Sequence, residues 1–382
     1  MELRVERDAL ADAVVWTARS LPARPPMQVL LGLLLEADDD GLSVSGFDYE
    51  VSSRVSVPVQ TAQPGRVLVP GRLLSEIVRA LPPQPVDLRL DGGRVVLTCG
   101  AARFTLPTMQ VEDYPSLPDM PATAGTLESD VFAAAVAQVA LAAGRDDTLP
   151  VLTGVRVEID GDNLTLAATD RYRLAVRTLP WRPTEPGVST TALVPARTLA
   201  DTAKALTAGP EVTVALATGS VGEGMVGFEG AGRRSTSRLL EGEFPKYRSL
   251  LPSESSAVAE VPTGAFVEAV KRVALVAERN TPVRLGFSAD GLVLEAGGSD
   301  QAQASEQLAC SWEGEPMQIA FNPGFLLDGL SAVGAHGEGD TTTLSFTGPT
   351  RPAVLTGKRQ PDAAPGEVAD YRYLLMPVRL SG

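Results

Sequence analysis

The sequence predicts an α+β protein built from three copies of one domain, each with helices packed on one face of antiparallel sheets. One helix-start pattern occurs three times with drift. Its copies are VPGRLLSEIVRAL from Val69, VPARTLADTAKAL from Val194 and NPGFLLDGLSAV from Asn322. Each copy places a proline in the first turn, where the missing N–H costs nothing. In the first copy, apolar residues at helical spacing then form one buried face.

The spacing of the copies identifies them as one repeated unit. Their prolines, Pro70, Pro195 and Pro323, lie 125 and 128 residues apart. An unrelated marker, the hairpin DGLSVSG at 40–46, recurs as DNLTLAA and DGLVLEA with offsets of 122 and 128 residues. Two independent markers with nearly one period indicate a triplicated domain. The predicted domains are residues 1–125, 126–253 and 254–382.

Composition narrows the function classes. The chain has 47 acidic and 33 basic side chains, which gives a net charge of −14. This charge argues against binding of nucleic acid over the whole surface, although a local basic face remains possible. The two cysteines, Cys99 and Cys310, lie in different repeats without C-x-x-C spacing. This pattern predicts neither a disulfide framework nor a zinc site and favours a reducing compartment.

The first residues and the apolar runs predict a cytoplasmic protein. The opening MELRVERD is charged, unlike the basic and then apolar start of a signal peptide. The longest apolar run, VLLGLLL at 29–35, is shorter than the roughly 20 residues that span a bilayer.

In the first repeat, helical spacing predicts a helix from Asp8 to Leu21 that the prolines of LPARPP end. The acidic turn EADDDG is interpreted as a solvated hairpin turn, because it lacks the ligand spacing of a calcium loop. A proline-rich linker follows, from Pro107 to about Gly125. The predicted strands are 29–35, 42–47, 49–59, 86–90, 94–98 and 102–106.

The second repeat opens with a predicted helix from Ser129 to about Ala143 and ends at FPKYRSLLP, residues 244–252. The third opens with a helix around 265–278 and finishes on YLLMPVRL. Each repeat is therefore two units of one helix followed by antiparallel strands, which gives six helices. A linear array of three repeats leaves two unmatched ends, and a second chain that closes a ring would remove them. Spacing alone leaves two-fold and head-to-tail arrangements open.

No motif predicts catalysis, a cofactor or a metal. GEGMVG at 222–227 matches a dinucleotide fingerprint, but its continuation alternates like a strand, so a glycine-rich hairpin is predicted instead. The single histidine, His336, sits in a turn-like segment, and Asp146 and Asp147 are expected to solvate or cap a helix end. An overlooked enzyme is the remaining alternative, which loss of turnover on replacing His336 or Asp146 would support.

Basic residues recur on helix faces. Arg72, Glu76 and Arg79 share one face of the first-copy helix, whereas the third copy offers Phe325 and residues without charge, Gly329 and Ala332. Such residues usually form a solvated face. If the helices of all repeats faced one space, these cations would meet phosphates without reading sequence. The second copy repeats the pattern with Arg197, Asp201 and Lys204.

Three segments combine arginine with aromatic or aliphatic residues: ATDRYRL at 168–174, FPKYR at 244–248 and the terminal MPVRL. They are either amphipathic strand ends, with arginine stems covering apolar surface, or the parts of one apolar pocket. The second interpretation places a pocket with a cationic rim between the second and third repeats, suited to an extended peptide.

These segments together resemble the bacterial sliding clamps, the beta subunit of DNA polymerase III, and their actinobacterial members in particular. The resemblance covers essentially the whole chain. Its motifs are LPARP, SGFDYE, VEDYPSLP, AAGRDDTLPVLTG, AATDRYRLAV, EFPKYRSLLP and YLLMPVRL. It implies three clamp domains per chain and two chains joined head to tail in a ring-shaped homodimer around duplex DNA.

The resemblance further implies a non-catalytic processivity factor without a cofactor, which tethers the DNA polymerase III alpha subunit, the clamp loader and repair proteins through short clamp-binding peptides. A specialised second clamp or an inhibitor-binding decoy that is not essential for replication is the alternative. On the DNA side, Arg24 matches a DNA-contacting arginine of the family, and Arg79, Arg145 and Arg197 are further candidates. The positions that match the peptide pocket are Leu152, Thr169, Arg171, Tyr172, Arg173, Leu174, Pro245, Leu250, Leu374, Met376, Pro377, Val378, Arg379 and Leu380.

Overall fold

The computed structural model describes residues 1–217, 224–277, 281–298, 302–334, 341–357 and 370–379. This part of the chain contains six α-helices, none of which is long and apolar enough to span a membrane. The helices are α1 (Arg7–Thr17), α2 (Gly71–Ala80), α3 (Ser129–Ala140), α4 (Ala196–Ala205), α5 (Thr263–Val273) and α6 (Pro323–Gly334).

Each repeat contributes nine of the described strands. The first repeat has β1 (Glu2–Val5), β2 (Gly32–Ala37), β3 (Leu42–Phe47), β4 (Val51–Val57), β5 (Gln60–Gln63), β6 (Gly65–Pro70), β7 (Val86–Asp91), β8 (Arg94–Cys99) and β9 (Ala102–Pro107). The second has β10 (Thr123–Glu128), β11 (Gly154–Asp160), β12 (Asn163–Thr169), β13 (Arg173–Pro180), β14 (Arg182–Pro183), β15 (Ser189–Pro195), β16 (Glu211–Ala217), β17 (Met225–Gly230) and β18 (Arg233–Arg238). The third has β19 (Ala257–Pro262), β20 (Val283–Ser288), β21 (Gly291–Ala296), β22 (Ala304–Leu308), β23 (Ser311–Glu313), β24 (Met317–Phe321), β25 (Thr341–Phe346), β26 (Ala353–Gly357) and β27 (Tyr371–Leu375).

The order of elements is the same in all three repeats: one strand, a helix, five strands, a second helix and three strands. This identity confirms the triplication that the helix-start and hairpin markers predicted. The chain also divides into two compact units, and the second repeat contributes to both. The first unit comprises Met1–Asp130, Arg182–Glu185 and Asp201–Leu239, and the second comprises Val131–Trp181, Pro186–Ala200 and Leu240–Gly382.

The first unit holds two antiparallel sheets. One has the strand order β5-β1-β7-β8-β9, and the other β14-β10-β16-β17-β18-β4-β3-β2-β6. The nine-stranded sheet crosses the repeat boundary where β18 pairs with β4, with Ser235 opposite Ser53. The apolar faces of α1 and α2, including Leu10, Val14 and Leu74, pack into one core with the strands.

The second unit repeats this design with two further antiparallel sheets. Their strand orders are β15-β11-β12-β13-β27-β26-β25-β19-β23 and β22-β21-β20-β24. Here the boundary between the second and third repeats is crossed by β13 and β27, which pair Leu174 with Leu374. Helix α5 buries Phe266 and Val270, and α6 buries Leu326.

The predicted elements mostly occur within a few residues of their expected positions, and β3 has the predicted bounds. The strand expected at 29–35 begins instead at Gly32, because residues 28–31 form a 3₁₀ helix. Pro323 opens its helix as predicted, whereas Pro70 and Pro195 end the strand before it. Their fixed φ fits extended backbone as well as a helix start, so the same residue type serves both positions.

Candidate functional site

Three segments of the predicted peptide pocket meet in the second unit, where the second and third repeats join. The pairing of β13 with β27 sets Leu174 opposite Leu374. Just beyond β27, the backbone N–H of Met376 donates to the carbonyl of Tyr172 at 2.9 Å. The sheet therefore brings together residues that are about 200 positions apart in the chain.

The floor of the site is a buried apolar cluster. Leu174 and Leu374 belong to it, together with Phe244 and Tyr247 from the segment that follows β18. The remaining buried members are Ala167, Val176, Leu193 and Val354, with Val151, Leu240 and Leu251 packed against them. Because the third predicted segment is packed into the same cluster, the floor joins all three.

Four exposed apolar side chains border this floor: Tyr172, Leu250, Met376 and Val378, which we call the rim. Tyr172 is the most exposed of them, at 58%. In the described part of the chain only eight large apolar side chains are exposed, so half of them are predicted pocket residues. Such clustering marks an interaction surface, since scattered single apolar residues are the norm elsewhere.

The turn that carries Tyr172 is held by its own side chains. Asp170 Oδ1 accepts hydrogen bonds from the backbone N–H groups of Tyr172 and Arg173, at 3.0 and 3.1 Å. Thr169 Oγ1 donates to the Arg173 carbonyl at 2.6 Å and accepts from the N–H of Arg171 at 3.2 Å. Arg171 takes a left-handed conformation with φ of 78°. The turn is therefore preorganised, which lowers the entropy lost when a partner binds.

Arg173 is buried beneath the rim and does not project from it. Its guanidinium donates to Asp170 and to Asp328, and its carbon Cζ lies 4.4 Å from the centroid of the Phe325 ring. Burial lowers the pKa of Arg173, but the Tyr373 hydroxyl and the two carboxylates outweigh burial and raise it. A permanently charged Arg173 thus ties the turn to α6 and β27.

The residues that α6 offers in place of cations are packed against neighbouring elements in the structure. Phe325 stacks against Tyr172, with ring centroids 6.2 Å apart, and lies under Arg173. The backbone of Gly329 lies against the Tyr373 ring, where a Cβ would meet a ring carbon at 2.5 Å, and Ala332 is buried. Asp328 of the same helix pairs with Arg173, so α6 is joined to the turn that carries Tyr172.

The other predicted pocket residues lie around the same site. Leu152 is half-buried, and its carbonyl accepts a hydrogen bond from Gly144 at 2.7 Å. Pro245 and Arg379 are exposed, and Pro377 is half-buried between Met376 and Val378. Leu380 lies outside the described residues.

The four candidate DNA-binding arginines are all exposed. Arg24 lies in the loop after α1, and the guanidinium of Arg72 donates to the Pro22 carbonyl of that loop at 3.2 Å. Arg79 is in the last turn of α2, Arg197 in the first turn of α4 and Arg145 just after α3. Exposure on helices and adjoining loops leaves these guanidinium groups available to phosphate oxygens.

The rejected motifs behave as predicted where they are described. Strand β17 starts at Met225, and a turn at Ala231 and Gly232 leads into β18, so a hairpin and not a helix follows the glycine motif. Gly222 and His336 lie outside the described residues. Asp146 accepts hydrogen bonds from the hydroxyl and N–H of Thr148, which hold the pKa of its carboxyl below the ordinary value. That carboxylate caps a turn.

Sequence reasoning missed the polar contacts under one wall of the pocket. Glu158 of β11 is buried, and its carboxylate binds Tyr247 and Arg248 from the segment that carries Leu250. The signal was present in the run VRVEI, where a cation and an anion share one face of an otherwise apolar strand.

Comparison with protein families gives one consistent result along the chain. Residues 1–118 match the N-terminal domain of the DNA polymerase III beta subunit, residues 126–246 its central domain and residues 248–371 its C-terminal domain. The chain is 60% identical to the beta sliding clamp of Streptomyces coelicolor over the full length of both. It is 45% identical to the beta sliding clamp homolog GriR of Streptomyces muensis over 99% of each chain.

Solved structures give the same result for the fold. The crystal structure of the DNA polymerase sliding clamp from Bacillus subtilis is 28% identical and superposes with a TM-score of 0.88 over 100% of both chains. A sliding clamp from Pseudomonas aeruginosa bound to griselimycin is 26% identical, with a TM-score of 0.88 over 100% of both chains.

Proposed function

Because the chain belongs to the family of DNA polymerase III beta subunits, the beta sliding clamps, we propose that two copies of it close into a ring around duplex DNA. Family membership confirms the predicted α+β clamp fold and a non-catalytic role in DNA replication. We place the domains at 1–125, 126–253 and 254–382; the repeated order of elements supports this division, and the family matches change domain within about seven residues of each boundary.

The observation that carries the ring is the way in which consecutive repeats join. In each joint, the ninth strand of one repeat pairs antiparallel with the fourth strand of the repeat before it. The pair is β18 with β4 at the first joint and β27 with β13 at the second. Each joint lies within its own continuous nine-stranded sheet.

Within the described residues, one ninth strand and one fourth strand do not form such a joint. The ninth strand of the first repeat is β9, and the fourth strand of the third repeat is β22. Each ends its sheet in the described structure, where β9 pairs with β8 and β22 with β21. An exposed strand edge is a ready template for another chain. We therefore propose that β9 of one copy pairs with β22 of the other, head to tail, at two equivalent interfaces.

An exposed leucine next to β22 supports this interface. Leu275 is 83% exposed in the short 3₁₀ helix that follows α5, and α5 packs on β22. A leucine left in water forgoes about 1.5–3 kcal/mol relative to a buried one. Covering it with a second copy would recover most of this free energy at each interface.

A closed ring makes the attachment to DNA topological. Contacts from Arg24, Arg79, Arg145 and Arg197 to phosphates would then remain weak and independent of sequence, so that the ring slides. The net charge of −14 keeps other surfaces from competing for DNA. The ring would act in the bacterial cytoplasm, where the DNA is replicated.

The pocket in the second unit would tether the partners. A short apolar peptide from the DNA polymerase III alpha subunit, the clamp loader or a repair protein would lie on the floor of Leu174 and Leu374, between the four rim side chains. A tethered polymerase that lets go of DNA rebinds intramolecularly at high effective concentration. Processivity rises in this way without any catalytic group on the clamp.

Retention on DNA of different topology tests the proposal. The protein is loaded by a clamp loader onto nicked circular DNA, and half of the sample is then cut once to make it linear. Retention on circles and rapid loss from linear DNA are expected, and the loss should stop when both ends are blocked by bound protein. Equal retention on circles and on linear DNA with free ends would contradict encirclement.

A further inference from the structure

One wall of the peptide pocket is a short connecting segment, residues 244–251. Its residues 247–250 form a 3₁₀ helix, and backbone hydrogen bonds within it are local, such as Tyr247 N–H to the Pro245 carbonyl at 2.7 Å. A single turn of this kind has little stability of its own. The position of Leu250 on the rim therefore depends on how side chains of the segment are held.

Two of these side chains converge on one buried carboxylate. Glu158 of β11 is 7% exposed, and its Oε2 accepts a hydrogen bond from the Tyr247 hydroxyl at 3.0 Å and forms an ion pair with the Arg248 guanidinium at 2.5 Å. Its Oε1 accepts from Arg156 Nε at 2.5 Å. Both carboxylate oxygens are thus used, which is the condition for a buried charge to be tolerated.

The protonation states suit this arrangement. Burial opposes ionisation of Glu158, but hydrogen bonds from Arg156 and Tyr247 and the charge of Arg248 outweigh it and hold the pKa of the carboxyl below its ordinary value. Burial, followed by the charge of Glu158, raises the pKa of Tyr247 to about 12. At neutral pH the carboxylate is therefore charged, and the phenol keeps the proton that it donates.

The cluster of Glu158 with Arg156, Tyr247 and Arg248 is called the anchor below. The first repeat provides an internal comparison for it. Glu36 is the fifth residue of β2, as Glu158 is the fifth residue of β11. Its side chain is partly exposed, and it lies 3.8 Å from Arg66 of the neighbouring strand. Tyr114 of the first repeat corresponds to Tyr247, but it packs in an apolar cluster that includes Leu34. Leu34 is the third residue of β2, as Arg156 is the third residue of β11.

The floor differs between the same two joints. Where the second joint has Leu174 and Leu374, the first has Ser52 opposite Thr236, and their hydroxyls are hydrogen-bonded at 2.6 Å. The backbone hydrogen bonding is the same at the two joints. The carbonyl of Glu50 accepts a hydrogen bond from the N–H of Arg238, as the carbonyl of Tyr172 accepts one from the N–H of Met376. The charged anchor therefore occurs in the copy of the joint that has the apolar floor.

We propose that Glu158 is a positioning residue for peptide binding, which holds Tyr247 and Arg248 so that Pro245 and Leu250 form the second wall of the pocket. The proposal rests on the peptide-binding function proposed above and specifies how one wall is held. Glu158 itself is buried, so it would act on the peptide only through the wall that it holds. A merely stabilising residue would leave the contribution of Leu250 to binding unchanged.

A double-mutant cycle separates these two roles. The probe is a fluorescein-labelled tail peptide of the DNA polymerase III alpha subunit, and its affinity is measured by anisotropy at neutral pH. Glu158→Gln should weaken peptide binding about tenfold. The fold loss of affinity caused by Leu250→Ala should be at least about fivefold smaller in the Glu158→Gln protein than in the unmodified protein. Met376→Ala, on the opposite wall, should cost the same in both backgrounds.

Two further variants keep the test decisive. Arg248→Gln removes the partner from the exposed side and should reproduce the loss even if Glu158→Gln folds poorly, whereas Lys246→Ala, an exposed cation on the same segment, should leave the affinity unchanged. The positioning role would be overturned if both Glu158→Gln and Arg248→Gln bound the peptide with normal affinity. It would also be overturned if Glu158→Gln changed the contributions of Leu250 and Met376 to peptide affinity equally. Absence of peptide binding by the unmodified protein would overturn the pocket itself and this role with it.

Discussion

Tyr172 offers the most direct quantitative test of the pocket, because it is the most exposed rim side chain. It is 58% exposed, and its ring stacks on Phe325 with an interplanar angle of 23°. An aromatic side chain buries about 150–250 Å², so complete coverage of the exposed part removes roughly 90–145 Å² from water. At about 25 cal/mol per Å², this corresponds to about 2–3.5 kcal/mol of binding free energy.

Tyr172→Ala should therefore weaken binding of the labelled polymerase tail peptide by about 40- to 400-fold if the peptide covers the ring completely, and by about 6- to 20-fold if it covers half. Anisotropy titration measures this directly. Tyr49→Ala is the matched control, since Tyr49 is an exposed tyrosine in the corresponding turn of the first repeat, with φ of 74°. A loss below about twofold for Tyr172→Ala, or equal losses for both variants, would refute the assignment of the rim.

Four other changes test separate parts of the account. Replacing Leu174 and Met376 together by alanine should weaken peptide binding by a few kcal/mol, because a floor side chain and a rim anchor are truncated, while the mass of the dimer stays the same; unchanged affinity in the titration would move the site elsewhere. Arg24→Ala should lower DNA affinity and reduce the slope of log affinity against log salt by about 0.9, and a salt series with an unchanged slope would remove Arg24 from the DNA face. Leu275→Asp should convert the dimer to monomers in sedimentation, because it places a charge where a second copy covers the leucine; an unchanged mass would place the interface elsewhere. Because the pKa of Glu158 is lowered on folding, its stabilising effect is present at neutral pH and is lost as the pH falls below the ordinary value of 4.5. Urea unfolding should accordingly show Glu158→Gln to be less stable than the unmodified protein at neutral pH, with a smaller difference near about pH 4, and a difference that does not change with pH would contradict the ion network.

The architecture was accessible from the sequence because repetition adds weak local signals together. One proline followed by a helical pattern says little, whereas Pro70, Pro195 and Pro323 at nearly constant spacing identify a triplicated domain. Short strands such as β1 and β5 escaped notice, since four residues carry too little alternation to be recognised.

The parts of the site that could not be predicted depend on contacts between distant residues. The pairing of β13 with β27 buries Arg173, which looks like an exposed strand-end cation in the sequence, and recruits Asp328 to neutralise it. Local patterns indicate which face of an element is apolar. They do not indicate that Arg173 pairs with Asp328, which is 155 residues away in the chain. The run VRVEI shows that Arg156 and Glu158 share a face, but not that Tyr247 and Arg248 meet Glu158.

The assembly of the chain in solution tests the central claim of a two-chain ring most directly. Sedimentation equilibrium over a range of concentrations gives the mass without reference to any partner. If β9 and β22 of two copies pair head to tail, the mass is twice the 40.0 kDa of a single chain and does not rise further at high concentration. A species of 40.0 kDa that persists at high concentration, or a mass that keeps growing with concentration, would contradict a closed ring of two copies.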